Sequence, residues 1–328
     1  MTVGTKMKLT VEQVKKFLKD HIKGEIRNVA PLSGGEWSQA FAYEYLEDDY
    51  VVRFGQHKDD YIKDKFASSY ASNKLPIPKV LEIGTAFNGY YAISERAYGT
   101  MIDDHDKAAM RKTIPSLFAT MDAIRETDIS QRNGYGMWDV NCQGEHTSWH
   151  EFLIDVAYDR PDRKIYGWKD NLKDSPVGDK PFNTAYASLM VLAKGLPEAR
   201  SLIHNDLLNF NVLVNDHQIT AVIDWGNAMY GDFLYDLAQF TFWGPLHEPV
   251  KGVDWEAEAL AHYKAIGLDI PMFKERLQCC MIHIGLDAQK YRAYKQDWEI
   301  FELVAKRTLE IAESKIIKDL TNYRCKLR

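Results

Sequence analysis

A run of apolar residues at helical spacing lies near the start of the chain. These residues recur three or four positions apart at Val11, Val14, Phe17, Leu18 and Ile22. The spacing indicates one buried face of an α-helix. The stretch Thr10-Val-Glu-Gln13 has the form of a capping box, in which threonine and glutamine side chains bond the first amides of a helix. The pattern predicts a helix that begins after Thr10.

Several strand-like stretches follow this helix. They cover residues 26–32, 40–46, 50–54, 79–83 and 90–94. One helical stretch near residues 59–72 interrupts them. It ends before Pro76 and Pro78, because proline cannot continue a helix and pushes the preceding residue to extended geometry. The N-terminal part is therefore predicted to be a small sheet with one helix packed on it.

The character of the chain changes after Gly99. Helical periodicity dominates residues 107–125, 182–193 and 233 onwards, with only short strands between them. A boundary near residues 97–103 is expected to separate an α+β lobe, residues 1–98, from a larger, mainly helical lobe, residues 99–328. Residues 158–180 are rich in charge, proline and glycine, and they predict a long surface loop.

Three polar residues in the second half have the spacing of a phosphoryl-transfer site. Asp206 and Asn211 lie five residues apart, and Asp224 follows thirteen residues later at the end of an apolar stretch. Asp206 can accept the proton of an attacking hydroxyl, whereas Asn211 and Asp224 offer the oxygen ligands that Mg²⁺ prefers. The spacing matches the kinase catalytic loop H-x-D-x-x-x-x-N followed by a metal-binding Asp. Turn-forming residues that recur by chance are the alternative, and the strand-like flanks argue against it.

Candidate nucleotide-binding residues lie in the N-terminal part. Two adjacent glycines let backbone amides approach phosphate oxygens, although such a pair is also typical of a hairpin turn. Arg53 projects from an otherwise apolar strand and either holds the α- and β-phosphates or faces solvent. Asp64 either orients Arg53 through an ion pair or is a surface carboxylate. The predicted cofactor-binding residues are Ser33, Gly34, Gly35, Ser38, Arg53, Asp64 and, through main-chain groups facing an adenine edge, Glu95 and Ala97.

Composition narrows the class of protein. The 328 residues are 45% hydrophobic with a formal net charge of −6, which is typical of a globular protein and argues against non-specific nucleic-acid binding. The negative charge favours a cationic small substrate. No apolar run reaches the roughly 18 residues that span a bilayer, and residues 1–8 lack the apolar core of a signal peptide, so we expect a cytoplasmic protein without membrane contact. No disulfide framework is predicted among Cys142, Cys279, Cys280 and Cys325.

The motifs resemble those of the aminoglycoside phosphotransferases, and most closely their hygromycin B branch. The resemblance covers nearly the whole chain. Besides the catalytic loop, it is carried by Leu75-Pro-Ile-Pro-Lys-Val-Leu-Glu-Ile-Gly84, Met121-Asp-Ala-Ile124, Ile219-Thr-Ala-Val-Ile-Asp-Trp225, Ala228-Met-Tyr-Gly-Asp232, Phe242-Trp243 and Ile284-Gly-Leu-Asp287. It implies a bilobal, protein-kinase-like α+β fold, with residues 1–98 binding nucleotide and residues 99–328 carrying the catalytic and substrate sites.

The resemblance also implies an activity and its partners. An enzyme of this kind uses ATP and Mg²⁺ to move the γ-phosphoryl group to a hydroxyl of an aminoglycoside, and hygromycin B is the favoured acceptor. Phosphorylation of the drug would give antibiotic resistance. We expect a monomer that acts on a small cationic substrate and binds neither nucleic acid nor membrane.

Residue roles follow from the resemblance position by position. It implies Asp206 as catalytic base and Asn211 and Asp224 as Mg²⁺ ligands. Arg53 stands where most of the family has a phosphate-binding lysine, and Asp64 stands where it has a glutamate, so both positions keep their charge. Asp236 is implied to brace the catalytic loop. The implied antibiotic contacts are Trp225, Trp243 and Asp287, and burial in the core is the alternative for the two indoles.

Two other functions fit parts of the same pattern. A metabolic kinase of choline, homoserine or a sugar would use the same catalytic residues, and a substrate panel separates it from an aminoglycoside kinase. A nucleotide-binding regulatory pseudokinase would be favoured by loss of the base or the metal ligands, but Asp206, Asn211 and Asp224 are all present.

Overall fold

The chain groups into two compact units. The computed structural model describes residues 7–32, 37–161, 163, 165–208 and 210–314. As far as they are described, Met1–Thr127, Trp138–Cys142 and Asp206–Ala228 form the first unit. The second unit consists of Asp128–Met137, Gln143–Asn205 and Met229–Arg328. These units interleave along the chain, and the division into continuous lobes 1–98 and 99–328 stays a prediction.

Strands and helices alternate through the described residues. The strands are β1 Ile26–Leu32, β2 Ser38–Tyr45, β3 Asp48–Gly55, β4 Val80–Ala86, β5 Gly89–Glu95, β6 Thr100–Met101, β7 Tyr135–Trp138, β8 Gly144–His146, β9 Ser201–Ile203, β10 Val212–Asn215, β11 Gln218–Val222 and β12 Met229–Gly231. The α-helices are α1 Val11–His21, α2 Lys58–Ala67, α3 Lys107–Arg125, α4 Trp149–Asp155, α5 Trp168–Lys173, α6 Lys180–Ala193, α7 Leu234–Trp243, α8 Trp255–Ala265, α9 Phe273–Lys295 and α10 Trp298–Ala312.

Helix α1 begins as the sequence predicts. The Oγ1 of Thr10 accepts the N–H of Gln13 at 3.2 Å, and the Oε1 of Gln13 accepts the N–H of Thr10 at 2.8 Å. This capping box satisfies amides that have no partner inside the helix. Val14 and Leu18 are fully buried and belong to the core cluster of the first unit.

The first unit contains an antiparallel sheet of five strands in the order β1-β2-β3-β5-β4. Its strands match the five predicted from the sequence. Successive side chains of a strand point to opposite faces, so Val52 of the central strand β3 enters the core cluster while Arg53 lies on the other face, 5.1 Å from the ring centre of Tyr61 in α2. The sheet thereby directs one cation towards α2.

The second unit combines a small antiparallel sheet with most of the helices. Its strands follow the order β8-β7-β12-β9. Helix α9 is buried along much of its length, and Gly285 lies where α9 packs closely on its neighbours. A Cβ at this position would overlap the Thr308 hydroxyl of α10 and lie 2.9 Å from Cε2 of Phe242 in α7. Close helix packing therefore explains the glycine of the Ile284-Gly-Leu-Asp287 string.

The prediction of a surface loop at residues 158–180 is wrong in part. The structure places the short helix α5 at Trp168–Lys173 inside it, with Trp168 and Leu172 buried. Six residues give too few turns for a helical period to stand out from the surrounding charge and glycine. Strands β7 and β8 were also not predicted, because strands of three or four residues carry little pattern.

Two further observations concern the cysteines and the possibility of a membrane span. Cys142, Cys279 and Cys280 are buried and are not joined in disulfides, and Cys325 lies outside the described residues. Across the same part of the chain, none of the helices combines the length and the apolar character needed to cross a membrane.

We expect Gly285→Ala to destabilise the protein. Alanine in place of an open helical glycine would stabilise the helix by about 1 kcal/mol, but overlap with Thr308 and Phe242 reverses the sign and should cost about 1–3 kcal/mol of unfolding free energy. Urea denaturation measures the change. Adding Thr308→Ala, which removes the overlapping hydroxyl, should recover part of the loss, and a more stable Gly285→Ala protein would contradict the packing argument.

Candidate active site

The predicted catalytic loop lies between β9 and β10 of the structure. Asp206 is half-buried in this loop, and Asn211, 6% exposed, directly precedes β10. The Nδ2 of Asn211 donates to the main-chain oxygen of Asp206 at 2.8 Å. This bond closes the loop and turns the amide oxygen of Asn211 away from that carbonyl.

The β10–β11 hairpin brings Asn211 and Asp224 together. Val212 pairs with Val222 across the two strands, and the N–H of Ile223 donates to the main-chain oxygen of Asn211 at 2.9 Å. Asn211 and Asp224 therefore flank the same end of one hairpin although thirteen residues separate them in sequence. Asp224 has a φ of 61°, a left-handed conformation that few side chains adopt.

Asp64 connects three elements of the first unit. Its Oδ2 forms a short ion pair with Nη2 of Arg53 in β3, and its Oδ1 accepts the N–H of Trp225 at 2.7 Å. Asp64 is 5% exposed, so a bond to each oxygen offsets the cost of burying its charge. Burial alone would lower the pKa of Arg53, but the charges of Asp64 and Asp224 outweigh it and raise that pKa. The predicted Arg53–Asp64 pair is therefore present, on α2 and β3.

Asp224 lies among other carboxylates. Part of the Asp224 surface is accessible to solvent. Desolvation by the surrounding protein and the negative charges of Asp64 and Asp60 nevertheless raise its pKa to about 6, and the charge of Arg53 opposes this shift. A divalent cation stabilises the ionised form of such a carboxylate.

The donors at this place fit Mg²⁺. Among the described residues, no three His, Cys, Asp or Glu side chains converge into a metal site made by protein alone. Mg²⁺ usually takes one or two carboxylates and completes its shell with water and substrate phosphates. Asp224, with the amide oxygen of Asn211, matches that donor set.

Two further residues join the site without any sequence motif that marks them. Asn227 lies in the turn Trp225–Asn227, and its Nδ2 donates to Oδ2 of Asp206 at 3.2 Å. Lys63 donates from Nζ to the main-chain oxygen of Gly226 at 3.0 Å. Asn227 lies three residues beyond the predicted metal ligand, and only its proximity to that ligand offered a signal.

Asp236 binds the chain just before Asp206. In the second unit, its Oδ2 accepts the N–H of His204 at 3.0 Å and its Oδ1 accepts the N–H of Asn205 at 2.7 Å. Burial raises the pKa of Asp236 to about 6, although these two amides act in the opposite direction. Asp236 thus binds the main chain at His204 and Asn205, the start of the loop that the resemblance implies it braces.

The predicted nucleotide-binding residues outside the ion pair fall into two groups. Ser33, Gly34 and Gly35 lie outside the described residues. Ser38 begins β2 opposite Gly55, and Ala97 is half-buried after β5. Glu95 ends β5, where its N–H already donates to the Lys79 oxygen at 3.0 Å. The main-chain amide of Glu95 is therefore committed to the sheet in this structure.

The three predicted substrate residues have different environments. Trp225 is 1% exposed, donates from its indole N–H to the Val222 oxygen at 3.3 Å and stacks on Trp138. This burial favours the core alternative for Trp225, and its contact with a sugar stays a prediction. Trp243 is half-buried, and Asp287 is an exposed residue of α9 that pairs with Lys290 at 3.0 Å. Desolvation raises the pKa of Asp287, but the charge of Lys290 outweighs it and lowers the net value.

The stretch that contains Asp206, Asn211 and Asp224 lies within a region that matches a known family. The model of the phosphotransferase enzyme family matches residues 28–266. The chain belongs to this family. The match includes every candidate catalytic and metal-binding residue and ends before Asp287.

Relatives within the family include enzymes that act on aminoglycosides. The hygromycin-B 4-O-kinase of Escherichia coli is 35% identical over 284 residues, which are 86% of this chain and 79% of that protein. The crystal structure of a thermostable mutant of aminoglycoside phosphotransferase APH(4)-Ia, in ternary complex with AMP-PNP and hygromycin B, matches with a TM-score of 0.79 at 31% identity. That match covers 92% of this chain and 98% of the other.

A more distant structure shows the fold alone. The spectinomycin phosphotransferase APH(9)-Ia matches with a TM-score of 0.56 at 16% identity, over 93% of this chain and 98% of the other. This match agrees with the expected α+β, protein-kinase-like fold, whereas the expected family is confirmed by the family model and by the hygromycin-B 4-O-kinase of Escherichia coli.

We expect Asp64→Asn to destabilise the protein by about 2–3 kcal/mol, because the Arg53 guanidinium would lose its charged partner. The Arg53 side chain is 20% exposed, so the cost should be below that of a fully buried pair. Urea denaturation measures the loss. The double variant Arg53→Met/Asp64→Asn, which leaves no unpaired charge, should recover much of it. Equal stability of the single variant and the parent would mean that solvent already satisfies Arg53.

Proposed function

We propose that the chain is an ATP- and Mg²⁺-dependent phosphotransferase that phosphorylates a hydroxyl of an aminoglycoside, with hygromycin B as the favoured acceptor. The observation that carries the proposal is the hairpin that holds Asn211 and Asp224 together beside the loop of Asp206. Family membership and 35% identity to a hygromycin-B 4-O-kinase support it.

The proposed reaction is a direct transfer between two oxygens. The acceptor hydroxyl forms a bond to the γ-phosphorus while the bond from that phosphorus to the β-γ bridging oxygen breaks, and ADP leaves with the bridging oxygen. Asp206 takes the proton of the hydroxyl, and Asn227 orients the carboxylate through its 3.2 Å hydrogen bond. Such transfer depends on positioning and charge stabilisation, so no covalent enzyme intermediate is required.

The metal and nucleotide contacts follow from the same residues. We propose that Asp224 and the amide oxygen of Asn211 hold Mg²⁺, and that Arg53 contacts the α- and β-phosphates. When bound, the metal neutralises the charge on the phosphate oxygens. Asp64 binds the Arg53 side chain and the main-chain amide of Trp225, the residue after Asp224. The Arg53 guanidinium and the backbone at Asp224 therefore stay in position when the nucleotide binds.

The acceptor is proposed from relatives and from charge. APH(4)-Ia was solved with hygromycin B and an ATP analogue, and the net charge of −6 favours a cationic molecule. Asp287 keeps a lowered pKa and is exposed, so it offers a carboxylate to an ammonium group. Phosphorylation would add negative charge to the drug and weaken its binding to ribosomal RNA. We further propose a cytoplasmic monomer that binds neither nucleic acid nor membrane.

A substrate panel tests the acceptor. Coupled assays of ATP consumption would compare hygromycin B, kanamycin, choline and homoserine at equal concentrations. We expect turnover with hygromycin B well above the others. Preferred turnover of choline or homoserine would replace the aminoglycoside by a metabolic acceptor, and ATP binding without turnover of any acceptor would favour a regulatory pseudokinase.

We expect the Asp206→Asn and Asp224→Asn variants to lose activity in different ways. Asp206→Asn keeps the shape but removes the base, so kcat should fall by about 10²- to 10⁴-fold while ATP still binds with Mg²⁺. Asp224→Asn removes a charged metal ligand, so the Mg²⁺ concentration needed for half-maximal rate should rise. Steady-state kinetics with Mg²⁺ titrations and ATP-binding calorimetry measure both. Parental turnover by Asp206→Asn would refute its role as base.

We expect Arg53→Ala to raise the KM for ATP and to lower kcat, because a cation on the phosphates is lost. Arg53→Lys should recover part of the loss, since an ammonium keeps the charge but not the two-pronged geometry. Kinetics at varied ATP concentration measure the change. The Lys65→Arg variant serves as control, because Lys65 is an exposed residue of α2 and keeps its charge in this variant. Unchanged ATP kinetics in Arg53→Ala would assign Arg53 to the ion pair alone.

A further inference from the structure

A chain of side-chain hydrogen bonds runs through the second unit to the residue before Asp206. The indole Nε1 of Trp243 donates to Oε1 of Gln239 at 3.0 Å. The Nε2 of Gln239 donates to the main-chain oxygen of Asn205 at 3.0 Å and to its Oδ1 at 2.8 Å. The Nδ2 of Asn205 in turn points to the sulfur of Met137 at 3.7 Å. Gln239 is thus the link between α7 and Asn205.

The indole N–H of Trp243 determines the donor and the acceptor in each of these hydrogen bonds. An indole N–H only donates, so the Gln239 atom facing Trp243 must be the amide oxygen. The amide nitrogen of Gln239 then faces Asn205, where both nearby groups are oxygens. With its Oδ1 occupied as an acceptor, Asn205 presents its amide nitrogen to Met137. No flipped arrangement of the two amides keeps all of these bonds.

These bonds hold Asn205 in a left-handed backbone conformation. Its φ is 68°, in a region that asparagine adopts more readily than most other residues because its short polar side chain can form local hydrogen bonds. Asp236 fixes the N–H of Asn205, whereas Gln239 fixes both its main-chain oxygen and its side chain. Because the next peptide bond leads to Asp206, the conformation at Asn205 sets the direction in which the chain enters the proposed catalytic base.

We propose that Gln239 is a positioning residue for phosphoryl transfer. Its amide nitrogen holds Asn205 in the left-handed conformation, and the Trp243 indole fixes the orientation of the Gln239 amide. The inference rests on the proposed function, because the step that Gln239 supports is phosphoryl transfer at the proposed active site. No sequence motif marks Gln239. It is half-buried on α7, four residues before Trp243 and three after Asp236, so one helical face carries both of the side chains that bond Asn205.

The decisive variant is Gln239→Glu. Glutamate keeps an acceptor for the Trp243 indole but turns a negative oxygen towards the two oxygens of Asn205, so it cuts only the second link. We expect kcat to fall by about 10-fold, with the KM for ATP changed by less than about twofold, because the nucleotide contacts lie on other residues. Gln239→Met, which has similar length but no hydrogen bonds, should give a similar split and carries the test if the glutamate variant does not fold.

A double-variant cycle tests whether the effect passes through Asn205. Asn205→Gly tolerates the left-handed conformation but lacks the side-chain acceptor. In that background Gln239→Met should lower kcat less than it does in the parent, because one of its two bonds is already gone. Thr241→Val is the matched control. It removes the Thr241 hydroxyl bond to the Leu237 oxygen of the same helix, without any link to Asn205, and should leave kcat unchanged.

Three outcomes separate this inference from the proposed function. Parental kcat in folded Gln239→Glu, or multiplicative effects of Gln239→Met and Asn205→Gly, would overturn the positioning role while aminoglycoside turnover by the parent persists. A loss of melting temperature with unchanged kcat would also overturn it, since that is the result of a purely structural bond. If the parent phosphorylates no aminoglycoside but the Gln239 variants lower its intrinsic ATP hydrolysis, the acceptor is wrong and the positioning role stands.

Discussion

The ion pair of Asp64 with Arg53 is the interaction on which the first unit's functional geometry depends. A carboxylate that is 5% exposed needs a partner for each oxygen, and here the partners come from a sheet strand and from the turn after the β10–β11 hairpin. One buried charge thereby fixes the Arg53 guanidinium and the backbone next to Asp224. Desolvation and the negative charges of Asp64 and Asp60 raise the pKa of Asp224 to about 6, and the charge of Arg53 opposes this shift.

Among the residues that the structure describes, three of the twelve non-glycine residues with a positive φ lie in the predicted catalytic loop and the turn at Asp224. Asn205, Phe210 and Asp224 have φ values of 68°, 64° and 61°, although none is glycine. Such positions cost about 1–3 kcal/mol each and persist only where surrounding bonds over-determine them. The N–H of Phe210 donates to Oδ2 of Asp103 at 2.8 Å, as Asp236 and Gln239 hold Asn205. The rigidity of the loop therefore comes from carboxylate and amide side chains outside it.

Much of this fold and of the candidate site follows from the sequence because local patterns determine them. The capping box of α1, the five strands and the long helices α3 and α6 repeat their period often enough to be predicted. The spacing of Asp206, Asn211 and Asp224 reflects one loop and one hairpin, so it is also local. Asn227 and Gln239 differ, because their hydrogen bonds join residues 21 and 34 positions apart. A pairing of that kind depends on how strands and helices meet, which no short motif encodes.

The residues proposed for the chemistry and the proposed acceptor contact Asp287 lie in different stretches of the chain. Proton removal and metal binding are the same for any hydroxyl acceptor, and the residues proposed for them lie within the matched family region 28–266. Trp225 follows Asp224 directly, is buried and stacks on Trp138, which favours a structural role for its indole. The exposed carboxylate of Asp287 lies beyond that region, on α9, whose close packing at Gly285 fixes the helix. If Asp287 contacts the acceptor as proposed, substitutions at this exposed position should change the choice of acceptor without altering proton transfer at Asp206.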